Sequence, residues 1–140
     1  DLVFRSGLDI TMIGLDLTHQ ARLTTDHAGQ LRPSGPAGAV VADLLDFFVP
    51  NYQRSLGFTG APIHDALAVA HVIWPDLVET GAFAVEVDTT AGPSAGRTLV
   101  DFFDVTGRKT NANVGVSVDP EGVATRLLER ISGLDDRPPD

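Results

Sequence analysis

His64 and Asp65 are adjacent in this chain, and their side chains are the ones whose types best suit chemistry. A histidine can exchange a proton near neutral pH, and a carboxylate can bind a hard cation such as Ca2+. Gly60 and Pro62 mark a turn ahead of them, and residues 66–73 are apolar apart from His71, so the pair lies where a buried helix begins. A structural alternative also fits, in which Asp65 interacts with the helix dipole and His64 packs beside it.

The first apolar segment, residues 10–17, is rich in β-branched residues and predicts a strand buried on both faces of a parallel sheet. Asp16 lies near its carboxyl end, where ligands bind in open α/β sheets, although a capping or structural role is the simpler interpretation. Thr18 is predicted to cap a short helix over residues 20–24. Residues 26–38 are polar and rich in Gly and Pro, which predicts a loop.

An amphipathic helix is predicted over residues 39–48, because apolar side chains recur there at helical spacing. The stripe comprises Val41, Leu44, Leu45 and Phe48, and it continues to Tyr52. Pro50 lacks a backbone donor and clashes with the preceding turn, so we expect the helix to kink or end near Phe48. The stretch up to Gly57 should then be more mobile. Both aromatic side chains also fit a purely structural role in the core or an interface.

Three strand-like segments follow the helix that carries His64, which we expect to end at Trp74 and Pro75. They comprise residues 82–87, 98–103 and 114–118. Their alternating pattern indicates half-exposed strands, so we expect a small antiparallel group at the periphery of the sheet.

A last helix is predicted to start at Asp119, as N-cap, and Pro120, at the first helical position. Its buried face should comprise Val123, Leu127 and Ile131. Residues 135–140 are predicted to form a flexible tail. No linker or internal repeat interrupts the chain, so residues 1–134 are predicted to belong to one domain of the α/β class.

The composition narrows the classes of partner. The chain has 140 residues, 43% of them hydrophobic and 21% charged, which is typical of a globular domain. Its formal net charge is −9 and its Lys and Arg residues are not clustered, which argues against nucleic acids and membranes as partners. Without cysteine it has neither a disulfide framework nor a zinc-thiolate site, so we expect a cytoplasmic protein.

Two motifs occur in a characteristic order along the chain. They are Gly14-Leu15-Asp16-Leu17-Thr18 and Pro62-Ile63-His64-Asp65-Ala66-Leu67-Ala68-Val69-Ala70. Together they resemble the C-terminal half of inosine/uridine-preferring nucleoside hydrolases. The resemblance continues through Val87-Asp88-Thr89, Gly96-Arg97-Thr98-Leu99-Val100-Asp101 and Asn113-Val114. It implies an open, mainly parallel Rossmann-like sheet with flanking helices.

Members of that family begin with an aspartate-rich segment of the form Asp-x-Asp-x-x-x-Asp-Asp, which supplies most of their calcium ligands. Asp43 with Asp46 and Asp101 with Asp104 are the nearest carboxylate pairs here, but they have the wrong spacing and are expected to face solvent. Residues 1–134 are therefore expected to be the C-terminal portion of a nucleoside hydrolase domain. The missing N-terminal half is an expected partner.

The resemblance implies hydrolysis of the N-glycosidic bond of a purine or pyrimidine ribonucleoside to free base and ribose, with Ca2+ as cofactor and Ca2+-bound water as nucleophile. His64 matches the residue that assists the departing base, and Asp65 matches a calcium ligand. Tyr52 and Phe48 fall where aromatics reach the base. Family members assemble as dimers or tetramers, and this chain alone is expected to be inactive. The alternative is a non-catalytic remnant, or a binding or assembly module on the same scaffold.

The other histidines are weaker candidates for chemistry than His64. His71 lies seven positions after His64 on the same predicted helical face, but apolar residues surround it, so a satisfied core or packing histidine is expected there. His19 and His27 lie in or beside polar segments.

Overall fold

A computed structural model of the protein describes residues 1–134. The predicted tail, residues 135–140, lies outside the described residues. The helices are α1 (Leu15–Thr18), α2 (Thr25–Leu31), α3 (Pro36–Leu56), α4 (His64–Ile73) and α5 (Pro120–Ser132). The strands are β1 (Thr11–Met12), β2 (Arg22–Leu23), β3 (Ala61–Pro62), β4 (Val78–Val87), β5 (Thr98–Asp101) and β6 (Ala112–Val118).

The larger sheet has the strand order β1-β6-β4-β5. β1 is parallel to β6, with Met12 opposite Val114, whereas β4 is antiparallel to both β6 and β5. A second, two-stranded sheet pairs β2 with β3. The predicted α/β class is confirmed, and so is the antiparallel group, whose strands β4 and β6 begin earlier than predicted.

Hydrophobic clusters join the helices to the sheets. The α2–α3 cluster comprises Leu23, Ala28, Leu31, Ala42, Leu45, Val49, Ala61 and Ala124. The α1–α4 cluster comprises Leu17, Ala21, Leu67, Ala70, Leu77, Val78 and Val123. Ile63, which precedes α4, packs against both clusters. The start of α4 therefore lies at the junction between them.

The apolar run over residues 10–17 does not form the long strand predicted for it. Its ladder with β6 covers Thr11 and Met12, and the chain then turns into α1 after Gly14. Leu17 is buried and packs so closely on Gly115 that a side-chain carbon added there would lie 2.7 Å from it. The apolar run is thus buried in the α1–α4 cluster, and only a short part of it is strand. Residues 20–24 likewise contain β2, where a helix capped by Thr18 was expected.

The loop predicted over residues 26–38 is also wrong, because α2 and the start of α3 occupy it. The Thr24 side chain and the His27 side chain cap the first turn of α2 reciprocally, which is a capping box. The glycine and proline residues that suggested a loop lie largely at helix ends, with Gly35 at φ 116° and Pro36 as the first residue of α3. The Gly and Pro content of this segment therefore reflects the boundary between α2 and α3, and it does not predict the two helices.

Of the two outcomes predicted for Pro50, a kink or an end near Phe48, the end is wrong, since α3 continues through Pro50 to Leu56. Leu45 and Val49, one helical turn apart just before the proline, are both buried. Pro50 is exposed, so its ring points away from that packing. Helix α3 ends at Gly57, whose φ of 71° is the left-handed conformation that favours glycine.

The predicted boundaries of the later helices are confirmed. Helix α4 ends at Trp74, and the Asp119 side chain accepts a hydrogen bond from the backbone N–H of Gly122 at the start of α5. Val123 is fully buried, whereas Leu127 and Ile131 are partly buried. Along residues 1–134, no helix combines the length and the apolar character required to cross a bilayer.

Candidate functional site

Helix α4 begins with the two residues of interest, and a short sheet fixes where it begins. β3 lies immediately before α4 and pairs antiparallel with β2, Ala61 opposite Leu23. The backbone N–H of Ile63 also donates to the carbonyl of Ala21, at 3.1 Å. These bonds tie the start of α4 to the chain just after α1. As a result, side chains at the end of α1 come into contact with His64.

His64 is partly buried and hydrogen-bonded through both ring nitrogens. Its Nδ1 lies 2.8 Å from the Oγ1 of Thr18, which is 3% exposed. Its Nε2 lies 3.4 Å from the phenolic oxygen of Tyr52 on α3, a longer and weaker contact. The imidazole is therefore held between α1 and α3, with one nitrogen on a buried hydroxyl and the other facing a phenol.

Aromatic rings surround this imidazole. The His19 ring packs edge-on against His64, with centroids 5.4 Å apart, and against Phe58, at 5.1 Å. Tyr52 and Phe58 lie nearly parallel, 5° between their planes and 6.5 Å between centroids. The Arg22 guanidinium lies 4.0 Å from the Phe58 centroid, a cation–π geometry. We refer to Thr18, His19, Arg22, Tyr52, Phe58 and His64 as the His64 cluster.

Asp65 points elsewhere. It is exposed in the first turn of α4, and within residues 1–134 its carboxylate takes part in no hydrogen bond or ion pair. It borders a groove of about 380 Å³ between α4 and α5, lined mainly by apolar side chains such as Val69, Ile73 and Leu127. The carboxylate is thus free to bind a cation.

The described residues do not build a calcium site by themselves. Ca2+ takes six to eight oxygen ligands. Within residues 1–134, no three His, Asp or Glu side chains gather into a group that could hold a metal ion. Asp65 can therefore supply one ligand to such a site, and the remaining carboxylates would have to come from outside these residues.

The two aromatic candidates differ in their surroundings. Tyr52 is partly buried and belongs to the His64 cluster. Phe48 lies one helical turn earlier on α3, is 45% exposed, and packs edge-on against Phe47 with centroids 5.4 Å apart. Among the described residues, no ring contact joins Phe48 to the cluster. The structure brings Tyr52 to His64 and leaves Phe48 at the surface.

Three of the four carboxylates in the pairs set aside from the sequence have partners within residues 1–134. Asp43 and Asp46 both bind Arg32 at the surface, each at 2.6 Å. Asp101 accepts hydrogen bonds from the Thr106 hydroxyl and from backbone N–H groups, and these bonds lower the pKa of Asp101 to about 2. These groups stabilise loops and helices, as expected for residues outside a site.

Two other histidines, His27 and His71, lie outside the His64 cluster. The Nδ1 of His27 accepts the backbone N–H of Thr24 at 3.1 Å, in the capping box of α2. His71 is partly buried, as expected for a packing histidine, but its buried Nδ1 finds no partner within residues 1–134. The expectation that His71 would be satisfied is therefore not met. Asp16 is exposed in α1, outside the His64 cluster.

Sequence reasoning missed four members of the cluster: Thr18, His19, Arg22 and Phe58. The sequence carries a signal for the first two, because they follow the apolar run over residues 10–17, whose carboxyl end is where ligands bind in open α/β sheets. Arg22 and Phe58 gave no such signal. They meet through the pairing of β2 with β3, which periodicity did not reveal in strands of 2 residues each.

The cluster is chemically equipped for proton exchange beside a planar group. An imidazole oriented through Nδ1 can give or take a proton at Nε2. Aromatic faces and a guanidinium suit a flat heteroaromatic ring.

Known proteins are similar to this chain in sequence and in fold. The family model described as "Inosine-uridine preferring nucleoside hydrolase" matches residues 1–125. The pyrimidine-specific ribonucleoside hydrolase RihA of Citrobacter koseri is 39% identical over 134 residues, which cover 94% of this chain and 43% of that protein. The homologous protein of Salmonella arizonae is 41% identical over 133 residues, with the same coverage.

Solved structures agree with this grouping. A purine-preferring ribonucleoside hydrolase from Gardnerella vaginalis has a TM-score of 0.84 at 38% identity, covering 96% of this chain and 43% of its own. The plant nucleoside hydrolase PpNRh1 has a TM-score of 0.80 at 29% identity, covering 94% of this chain and 44% of its own. The chain thus spans less than half the length of these relatives. It belongs to the inosine-uridine preferring nucleoside hydrolase family.

Proposed function

We propose that this chain is the C-terminal part of a ribonucleoside hydrolase that cleaves the N-glycosidic bond to give free base and ribose. The supporting observation is the oriented imidazole of His64, in a chain that belongs to a family of nucleoside hydrolases. One relative is named for pyrimidines and another for purines, so the proposal names the substrate class, a ribonucleoside, and no single base.

The reaction requires a proton for the departing base. As the glycosidic bond breaks, its electron pair moves to the base nitrogen, and the ribose carbon gains oxocarbenium character. In our proposal His64 Nε2–H gives its proton to the base, and water adds its oxygen to the ribose carbon. The proton that water releases passes to a carboxylate outside this chain.

We propose Ca2+ as the cofactor, with Asp65 as one of its ligands. Bound there, the ion would hold the attacking water and the ribose hydroxyls. This part of the proposal is supported by the free, exposed carboxylate of Asp65 and by its position next to His64. Because one carboxylate is too few for Ca2+, the other ligands are assigned to a segment beyond these residues.

The base is proposed to contact Tyr52, whose ring adjoins His64, and Phe48, one turn away on the exposed side of α3. Aromatic faces stabilise a planar base by stacking. Phe48 would need to move or be covered by another segment to share that contact, since its present ring neighbour is Phe47.

The complete protein is proposed to be cytoplasmic and to assemble as a dimer or tetramer. Its partner within the fold would be the N-terminal half of the domain. The chain covers 43% of the Citrobacter koseri relative, so we expect it to be inactive alone.

The test is complementation. This chain is co-expressed with the part of the Citrobacter koseri relative that it does not match, the complex is isolated, and release of base from inosine and uridine is measured with and without Ca2+. Turnover by the complex is expected. His64→Gln should lower kcat about 10² to 10⁴-fold, the usual contribution of general acid catalysis. Asp65→Asn should raise the Ca2+ concentration required.

Matched variants control for stability. His27→Gln keeps a side chain that suits the capping box of α2, and Asp43→Asn alters another exposed aspartate; both should retain turnover. Turnover indifferent to His64→Gln and Asp65→Asn would exclude the roles proposed for these residues. A stable complex without turnover would favour a non-catalytic binding or assembly module.

A further inference from the structure

A buried hydroxyl, that of Thr18, contacts the imidazole of His64. Among residues 1–134, Thr18 is the polar residue that is buried, with 3% of its surface exposed. It lies in α1, a helix of 4 residues, next to Leu17, which is 1% exposed. Buried hydroxyl groups are nearly always hydrogen-bonded. Within the described residues, the Thr18 oxygen has two partners: His64 Nδ1 at 2.8 Å and the carbonyl oxygen of Leu15 at 3.4 Å.

The direction of these bonds follows from the inventory of donors. A hydroxyl carries one proton, and a carbonyl oxygen can only accept. If the Thr18 proton points to the Leu15 carbonyl, the hydroxyl oxygen is free to accept Nδ1–H from His64. If it points to Nδ1, the Leu15 contact is not a hydrogen bond. The first arrangement uses both partners of the hydroxyl.

The first arrangement also agrees with the other side of the ring. With the proton on Nδ1, a neutral His64 has a lone pair on Nε2, which the Tyr52 hydroxyl can meet as a donor across 3.4 Å. When His64 is doubly protonated, Nδ1–H still donates to Thr18, so no rearrangement of the hydroxyl is required. His19 faces the ring edge-on, 5.4 Å away, and no contact of its ring with Nδ1 is described.

We propose that Thr18 is a positioning residue for His64: its hydroxyl accepts Nδ1–H and makes Nε2 the nitrogen that exchanges protons beside Tyr52. The role in turnover rests on the proposed function. The tautomer and the ring orientation do not, and they can be measured in this chain without catalysis.

The measurement is a long-range proton–nitrogen NMR spectrum of the chain labelled with 15N-histidine, at about pH 9, where imidazoles are neutral. His64→Gln assigns the signals among the 4 histidines. His64 should be the Nδ1–H tautomer. His27 is the internal reference of the opposite type, because its Nδ1 accepts a backbone N–H and its ring proton must lie on Nε2.

Two variants test the hydroxyl. Thr18→Val keeps the shape of the side chain and removes the hydroxyl, so the His64 signal should move toward the Nε2–H tautomer while His27 is unchanged. Thr18→Ser restores the hydroxyl and should restore the Nδ1–H tautomer. A wild-type His64 in the Nε2–H form would overturn the proposal even if Thr18→Val fails to fold. So would a folded Thr18→Val with the wild-type tautomer.

Kinetics of the complemented enzyme separate this proposal from the proposed function. Thr18→Val should lower kcat for inosine roughly tenfold to hundredfold with little change in KM, as expected when an acid is misoriented. 4-Nitrophenyl riboside, whose leaving group needs no proton, should be hydrolysed almost as before, and Thr18→Ser should recover inosine turnover. If the NMR result holds and His64→Gln leaves turnover unchanged, Thr18 orients a histidine that the reaction does not use, and only the proposed function fails.

Discussion

His64 and Asp65 are neighbours in sequence and yet meet different surroundings. The imidazole turns inward to Thr18 and Tyr52, whereas the carboxylate turns outward. The sequence was sufficient to select this pair, because a doublet of ionisable groups at the start of an apolar helix is conspicuous. It was not sufficient to identify Thr18, since the hydrogen bond joins residues separated by 46 positions. Such contacts depend on tertiary packing, which local patterns do not encode.

A second carboxylate yields a prediction about pH. Hydrogen bonds from Thr106 and Val105 hold the pKa of Asp101 at about 2, below the value near 3.9 of an unfolded chain. A lowered folded pKa contributes stability that is present above about pH 4 and is lost as the pH falls toward 2. Urea unfolding of the wild type and of Asp101→Asn should therefore differ most above about pH 5 and converge toward pH 2.

The hydroxyl of Thr106 makes the largest contribution to that lowering. Thr106→Val should consequently raise the pKa of Asp101, which an NMR titration of its carboxyl carbon would follow. An unchanged pKa in Thr106→Val would contradict this assignment, as would a stability difference for Asp101→Asn that is independent of pH.

At the scale of elements, length and capping decided what was predictable. Helices α4 and α5 were recognised because proline, glycine or an N-cap aspartate marks their starts. Helices α1 and α2 were missed, since they have 4 and 7 residues, too few for a clear period. Their stability comes from buried residues such as Leu17 and Leu31, each at most 1% exposed. Tertiary burial overrode the local signals there.

Pro50 provides a prediction at this scale. It occupies the interior of α3, where it removes one backbone hydrogen bond, to the carbonyl of Asp46. Pro50→Ala should restore that bond and raise the free energy of unfolding by about 1 to 3 kcal/mol, after allowance for greater freedom of the unfolded chain. Urea unfolding followed by circular dichroism measures it.

Pro36 supplies the matched control, because it is the first residue of the same helix, where no bond is lost. Pro36→Ala should leave stability unchanged or lower it by up to about 1 kcal/mol. Equal effects of the two substitutions would show that the interior position of Pro50 carries no special cost.

At the scale of the molecule, the net charge of the chain predicts whether it binds anionic membranes and nucleic acids. With a formal net charge of −9, it should be repelled by phosphate-rich partners. We expect no co-sedimentation with phosphatidylserine vesicles, and no retardation of RNA in a gel, at about 0.15 M salt with a chelator present. Binding that weakens as salt is raised would reveal a basic surface that composition does not indicate.

The family was recognisable from two short motifs, whereas a Ca2+ site of the kind we propose could not be predicted from these residues. The reason is physical: a Ca2+ site collects ligands from distant segments, and these residues contribute one candidate. The chain spans 43% of the relative from Citrobacter koseri, and the proposed complementation joins it to the rest.

Ile63 packs against both the α2–α3 and the α1–α4 clusters, so the contacts of the neighbouring His64 depend on the relative position of these clusters. Tyr52 packs against the α2–α3 cluster, and Thr18 is next to Leu17 of the α1–α4 cluster. A small rotation of one against the other would lengthen or shorten the gap between phenol and imidazole while the threonine contact stayed intact. We therefore expect the longer contact, from the Tyr52 hydroxyl to His64 Nε2, to respond to such a movement before the Thr18 contact does.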